Sequence, residues 1–456
     1  MTSATTPARA RFRRTASAGA AALVAAALAV QATGTPTPAE AATSGTQVPL
    51  AFFGMHATHA IGDLNPQQQA GLAKTSGIGS IEILSNGSEW LTVWPTADPA
   101  TVDYSHFDSA IANSSAGGVK DINVVLTGTP QWAAAGAPTV AQPGEPTPGY
   151  ASPPTNNADW SAYVRGMAGH CVTIPACKTN VKSFQVWSEA NLTSRWRGTG
   201  AQLAELTKFA ATEIRAVNAT YGTKFKVVAA STTIRLQGLG GFYTAYLTGL
   251  KARGWPVDVF SFHGYPKASG TPVSRQSLFT YYKSYLTRLN APALPIWDGE
   301  VNYGVPGPGT DPYRALDNAT GAAYISRTYL DSLRLGIKKV YVSAWQPEDG
   351  VGYGITLYPN EPGARALKTT YGWLAGKWYR GCTTSTTSAG NLVTCKVSLT
   401  TSPTSSSATI AYSEGALRKV KVPVNGKRRC TLLTGCTAAK PGTLVSVGGS
   451  PVWFGP

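Results

Sequence analysis

The sequence predicts an α/β protein, a (β/α)8 TIM barrel followed by a small antiparallel β-sandwich. Three observations lead there. Between residues 48 and 377, eight short β-branched runs alternate with amphipathic stretches, a regularity that suits a closed barrel better than an open sheet. Hydrophobic residues make up 43% of the 456 positions and charged ones 14%, with 12 Trp and 20 Tyr, so the chain can bury a sizeable core and is neither a disordered tail nor a coiled coil. After Trp373 and Trp378 the composition turns to Ser and Thr with short alternating apolar runs, the mark of a separate β-domain.

Residues 1–41 read as a signal peptide. Arg9, Arg11, Arg13 and Arg14 precede the apolar stretch Ala20–Val30, and small residues follow, with a cut expected after Ala39-Glu40-Ala41 or after Ala32. Arg13-Arg14 leaves the general and twin-arginine export routes both open. No later apolar run reaches the roughly 18 residues that span a bilayer, so the expected product is soluble and secreted.

The barrel is expected over residues 42–377. Its runs are Val48–Ala57, Ile78–Ser85, Asp121–Thr127, Ser183–Ser188, Phe225–Ser231, Val257–His263, Leu294–Val301 and Lys339–Trp345. Segments such as Asn123-Val-Val-Leu lack clean alternation, as strands buried on both faces do. Between them, Leu278, Tyr282, Tyr285 and Leu289 recur at helical spacing, as do Ile325, Tyr329 and Leu333, so each stretch lays one apolar face on the sheet. The sandwich is expected over residues 378–456, with strands such as Val420-Lys-Val-Pro-Val and Leu444-Val-Ser-Val.

Six cysteines fall as three neighbouring pairs, Cys171/Cys177, Cys382/Cys395 and Cys430/Cys436, and disulfides between neighbours are the first reading in an exported chain. No Cys-x-x-Cys spacing supports zinc; no metal and no cofactor is expected. The formal charge of +16 becomes +13 once the leader's four arginines and one glutamate are removed. About half of that excess lies in residues 381–456, where eight Lys or Arg accompany one acid, Glu414. Such a surface suits an anionic or cell-wall polysaccharide, or is simply a solvated face; nucleic acid is a poor partner for an exported protein. The sequence carries no signal of an oligomeric state.

Several catalytic signatures are missing: no G-x-S-x-G elbow, no P-loop, no H-E-x-x-H. Carboxylates remain. Glu189 ends the fourth run in Phe184-Gln-Val-Trp-Ser-Glu-Ala-Asn191, and Glu300 ends the seventh in Trp297-Asp-Gly-Glu-Val-Asn-Tyr-Gly304. Chemistry in this fold sits at the C-terminal strand ends, and strands four and seven stand on opposite sides of the barrel, so the two acids can face each other across its mouth. Glycosidic hydrolysis needs such a pair, one protonated and one ionised; at about 5–5.5 Å separation the second attacks and configuration is retained. Taken singly, either Glu could instead form a strand-end salt bridge or helix cap. Alternation places Asp298 on the same face as Glu300, to crowd it or to cap a helix.

These motifs resemble clan A glycoside hydrolases, most closely family 39 and its actinobacterial secreted relatives, over residues 48–377. Trp187-Ser-Glu-Ala-Asn191 is similar to the family's Trp-Asn-Glu-Pro-Asn motif and implies that Glu189 is the acid/base; Trp297-Asp-Gly-Glu is similar to its nucleophile segment and implies that role for Glu300. Phe262-His-Gly-Tyr-Pro266 resembles the His-x-Tyr segment, implying that Tyr265 hydrogen-bonds the nucleophile and His263 lines the sugar site. Trp132 and Trp345 are candidates to stack on sugar, with core packing as the alternative. His56, ending the first run, joins the candidate substrate-binding set. Two positions depart from the family. Ser188 stands where Asn is usual and Glu82 near where Arg is usual, so both are assigned to the substrate site, where Glu82 would raise the pKa of nearby acids. The implied function is a secreted retaining glycosidase acting on a polysaccharide or glycoconjugate; the alternative is an inactive carbohydrate-binding barrel. Substrate choice is expected to rest on loops such as Ala133–Pro154 and Val305–Asp317.

Overall fold

The computed structural model describes residues 45–56, 77–85, 87–235, 239–307, 311–345, 352–401 and 407–456. The expected signal peptide lies outside them, as does part of the loop 305–317. None of the helices among the described residues is long and apolar enough to cross a membrane.

Eight parallel strands form one sheet: β1 Phe53–His56, β2 Ser80–Ile83, β3 Ile122–Leu126, β4 Val181–Val186, β5 Lys226–Val228, β6 Phe260–His263, β7 Ile296–Val301 and β8 Lys339–Ser343. They lie in the order β5-β4-β3-β2-β1-β8-β7-β6. The remaining seam, between β5 and β6, is bridged at Val228↔Val259 and Thr233↔His263, with backbone bonds from Ala229 to Val259 and from His263 to Thr232 closing the barrel. Most strand residues are buried on both faces, as expected of strands covered outside by helices and filled inside by side chains.

The helices begin and end where local chemistry directs. Helix α1 is Ser105–Ala116 and α2 Asn157–Thr173; α3, Gly200–Tyr221, opens on a Thr199/Gln202 capping box and closes on Gly222 at φ 66°. Helix α4 is Leu239–Ala252; α5, Pro272–Arg288, has Pro at its first position, where the missing N–H costs nothing. Helix α6, Asn318–Leu335, is capped by the Asp317 carboxylate, which accepts from the N–H groups of Ala319 and Thr320; α7 is Pro362–Leu374. The apolar stripes expected on α5 and α6 face the sheet, with Tyr282, Ile325 and Tyr329 fully buried.

The second part is an antiparallel β-structure: β9 Trp378–Thr387, β10 Gly390–Ser398, β11 Ser407–Ser413, β12 Arg418–Lys421, β13 Arg428–Thr431, β14 Gly435–Ala438, β15 Leu444–Val447 and β16 Val452–Gly455. Thr46–Gln47 adds an edge strand to β9, so the sandwich sheet draws on chain that precedes the barrel. All three neighbouring disulfides form: Cys171–Cys177 joins α2 to the short helix Pro175–Asn180 before β4, while Cys382–Cys395 and Cys430–Cys436 cross-link paired strands.

One hydrophobic cluster runs from the barrel into the sandwich, from Phe53 and Ile81 to Val393, Val397 and Ile410. At the junction sits Glu414, which accepts hydrogen bonds from Gln276 on α5, Arg334 on α6 and Asn391 on β10, at 2.8, 2.8 and 2.7 Å. Beside it Tyr412 donates to Asp331 of α6 at 2.5 Å. Removing a buried carboxylate with this many donors leaves them unpaired. Glu414→Ala is therefore expected to lower stability by about 2–4 kcal/mol and Glu414→Gln by less, read as shifts of the urea unfolding midpoint.

Candidate active site

Strand β4 ends at Val186, and the chain then turns sharply: Trp187 and Glu189 both take positive φ, 71° and 47°. This conformation is costly for residues with a side chain and is held by its surroundings. Trp187 is fully buried and its indole N–H donates to the Arg195 carbonyl at 2.7 Å; Asn191 grips Thr233 beyond β5 through both amide atoms, at 2.9 and 3.0 Å. Glu189 is thereby held at the barrel mouth with its side chain 20% exposed.

Strand β7 carries a register shift. Phe262 pairs with Asp298, but His263 pairs with Glu300, so Gly299 is the extra residue of a bulge. This corrects the expectation that Asp298 and Glu300 share a face. Asp298 is buried on the helix side, where Arg275 of α5 holds it at 2.8 and 2.6 Å and the Gly264 N–H donates to it at 2.8 Å. It neither crowds Glu300 nor caps a helix. Gly264 is required there, since a Cβ would lie 2.3 Å from an Asp298 oxygen.

The result is a close convergence. Glu300 Oε2 accepts from Tyr265 OH at 2.8 Å, and Glu300 Oε1 lies 3.3 Å from His56 Nε2. His263 Nδ1 stands between the two acids, 3.2 Å from Glu189 Oε1 and 3.7 Å from Glu300 Oε2. One oxygen of each carboxylate and a His263 nitrogen all lie within 4.8 Å of one another. Burial opposes a charge on His263, but Glu300, Glu189 and Glu82 outweigh it and raise its pKa to about 9. Burial also opposes ionisation of Glu300, yet His263, His56 and the Tyr265 hydroxyl hold that carboxyl below its ordinary value. For His56, burial prevails over Glu300 and lowers the pKa. The site at neutral pH thus pairs an ionised Glu300 with a protonated His263.

Glu82 is fully buried, in register with His56 on one side and Asn123 on the other. Its Oε2 accepts from Asn123 Nδ2 at 2.7 Å, and Asn123 in turn accepts from Ser183 Oγ at 2.6 Å, a polar ladder across β2, β3 and β4. Burial foremost, with Glu300 adding to it, raises the Glu82 pKa to about 8, so it is a neutral acid at pH 7.

Ser188 is nearly buried, 3.5 Å from Ser231 Oγ. Trp132 is half-buried, its N–H on the Trp94 carbonyl at 3.0 Å and its ring 5.0 Å from that of Trp94, while Trp345 is 5% exposed and packs in the core. Arg195, which no motif marked, lies near enough to act electrostatically on Glu300 and His56, and contacts Tyr150 OH at 3.4 Å. Arg235, also unmarked, ties the β6 and β7 loops through the carbonyls of Pro266, Val305 and Pro306. Two trios have ligand-like spacing for a metal, His56–Glu82–Glu300 and Glu189–His263–Glu300. Both share Glu300, and either would have to expel a proton, from Glu82 or from His263, before binding a cation.

No protein-family model and no curated protein matches the sequence. The fold is shared with solved structures. A GH39 β-xylosidase from Caulobacter crescentus aligns at a TM-score of 0.62 and 15% identity, over 91% of this chain and 98% of that one. A GH30 endoxylanase from Clostridium papyrosolvens aligns at 0.58 and 13%, over 90% and 97%. A conserved exported protein from Bacteroides fragilis aligns at 0.62 and 10%, over 90% and 98%. The resemblance read in the sequence is met at the level of the fold.

Because the folded state holds a proton on Glu82 up to about pH 8 that the unfolded chain releases near 4.5, this group's contribution is fully present below pH 4.5. It declines as pH rises toward 8, by at most about 1.4 kcal/mol per pH unit. Glu82→Gln is expected to remove that decline, narrowing the difference in thermal midpoint between pH 5 and pH 8.5 relative to the parent protein.

Proposed function

We propose that this protein is a secreted retaining glycoside hydrolase acting on a polysaccharide or oligosaccharide. The observation that carries the reading is the approach of a Glu189 oxygen to a Glu300 oxygen within 4.8 Å, against the roughly 5–5.5 Å between carboxyl groups of retaining enzymes and the 6.5–9.5 Å of inverting ones. The separation leaves no room for a water between the acid and a second base, and favours direct attack.

In this reading Glu300 attacks the anomeric carbon while Glu189 delivers a proton to the departing glycosidic oxygen. The covalent glycosyl ester is then hydrolysed by a water that Glu189 deprotonates. Tyr265 and His263 keep Glu300 ionised and aimed; Tyr265 stays a hydrogen-bond donor because burial, with Glu300 beside it, holds its own pKa well above the ordinary value. His263 contacts both acids and follows the charge as it moves between them. His56, Ser188 and the half-buried Trp132 are assigned to sugar contacts, and Glu82 acts from beneath as a neutral acid beside His56 and Glu300. Secretion is supported by the leader-like residues 1–41 and by three disulfides.

Incubation with activated 2-fluoro glycosides is expected to leave a sugar adduct on the peptide carrying Glu300, located by mass spectrometry. Binding across a broad glycan panel with neither adduct nor hydrolysis would establish a carbohydrate-binding barrel instead. Glu300→Gln should abolish turnover with binding retained, and Glu189→Ala should slow it by about 10²–10⁴-fold. Tyr265→Phe, losing a hydrogen bond to a charged group worth about 1.5–3 kcal/mol, should lower kcat by roughly ten- to a hundredfold.

A further inference from the structure

The sandwich contains a surface that the barrel chemistry does not use. From Leu417 to Val447 the chain carries seven Lys or Arg, no acid and no aromatic residue. Strand β12 pairs with β15 and β13 with β14, and the connecting segments are joined by backbone bonds from Val422 to Thr443, Gly442 to Val422 and Ala439 to Lys427. The stretch is one long hairpin-like ribbon, two-stranded at β12 and β15 and joined along β13 to β16 of the larger sheet. Leu432 and Leu433, at its tip, accept from Thr369 and Arg365 of α7, which anchors the ribbon on the barrel.

Its two faces differ. Val420, Val422 and Val447 point inward to a small core with Ala411 and Phe454. Outward, Lys419 stands opposite Ser446 and Lys421 opposite Leu444, all exposed, and Lys427, Arg428 and Lys440 are exposed beyond them. Among the described residues no carboxylate pairs with any cation of the ribbon. The one acid of residues 378–456, Glu414, is turned to the barrel and engaged by Arg334.

We propose that this ribbon is a docking surface for an anionic polysaccharide, one bearing carboxylate or phosphate groups along its length. Charge complementarity selects a polyanion, because the outward side chains include five exposed cations, Lys419, Lys421, Lys427, Arg428 and Lys440, which no carboxylate of the described residues neutralises, with Thr and Ser hydroxyls and the apolar Leu417, Val424 and Leu444 among them. The absence of aromatic residues disfavours single-stranded nucleic acid, which is held by base stacking. Lys419 and Lys421 stand two positions apart on β12, roughly 6.8 Å along the strand, with Lys427, Arg428 and Lys440 further along the ribbon, so it offers charges at successive points to an extended polymer. This surface is independent of the two glutamates and would hold the protein on its polymer whichever bond the barrel cleaves.

The test uses the full secreted chain in affinity electrophoresis through gels containing polygalacturonate, poly(glycerol phosphate), or neutral xylan. Retardation by the two polyanions and not by xylan is expected, relieved by roughly 0.5 M NaCl as charges are screened. Which polyanion retards more decides between carboxylate and phosphate. The variant Lys419→Gln/Lys421→Gln/Lys427→Gln/Arg428→Gln, all at exposed positions, should bind about tenfold more weakly, while Lys120→Gln/Lys208→Gln/Lys251→Gln/Lys283→Gln, equal in charge change but on the barrel, should lose less than about twofold. Thermal midpoints confirm that both variants fold. Equal loss in the two variants, equal retardation by xylan, or tighter binding of a DNA oligonucleotide through the same residues would overturn the proposal.

Discussion

The barrel mouth depends on one buried imidazole. Two carboxylates within 4.8 Å would repel by about 3–4 kcal/mol at an effective dielectric near 20 if both were charged. His263, unexposed and within 3.7 Å of both, supplies the compensating positive charge. Glu300 has His263, His56 and Tyr265 around it, whereas Glu189 shares only His263 among these and is the more open to solvent. The positive and hydrogen-bonding groups thus gather on Glu300, and Glu189 is left the more open of the two.

Neutral acids and bases complete the balance. An ionised Glu82 would set a second negative charge beside Glu300, and burial prevents it by keeping the proton on Glu82 up to about pH 8. His56 stays uncharged for the same reason, burial outweighing the pull of Glu300. The interior beneath the mouth therefore holds titratable groups without adding net charge, and the ladder from Glu82 through Asn123 to Ser183 gives one Glu82 oxygen its partner, while the other Glu82 oxygen makes no hydrogen bond among the described residues. Glu82 thus places a proton-bearing carboxyl beneath the site, and the cation that faces Glu300 comes from His263, with Arg195 near enough to add to it.

Much of this was legible in the residues. Periodicity found all eight strands, since a parallel strand buried on both faces leaves a continuous apolar run, and the polar residues that end β4 and β7 marked both glutamates. The β7 bulge was not legible. A strict period of two puts Asp298 beside Glu300, and only the pairing of Phe262 and His263 with the neighbouring strand shows the extra residue at Gly299. Glu82 read as a strand-end acid near the sugar; its burial and its Asn123 partner come from register across strands, which the hydrophobic pattern does not specify. Arg195 and Arg235 act through loop conformation rather than through any spacing, and the pairing of Thr46–Gln47 with β9 joins segments more than 300 residues apart.

The junction between the two parts follows from the same logic of placing few acids carefully. Glu414 could have neutralised a neighbouring lysine on the sandwich surface. It instead meets Arg334 and Gln276 of the barrel helices, and Tyr412, two residues before it, bonds Asp331 of α6. One carboxylate thus serves two ends: it ties the sandwich to the helices that stand behind β7 and Asp298, and by leaving the outer strands it lets their cations act undiluted. Neutralising Glu414 would loosen the junction without making the ribbon any less basic, whereas moving an acid into β12 or β15 would weaken the basic field while leaving the junction intact. The two properties are separable in the structure because the acid is engaged by Arg334 and Gln276 of the barrel helices, whereas Lys419 and Lys421 of β12 are exposed.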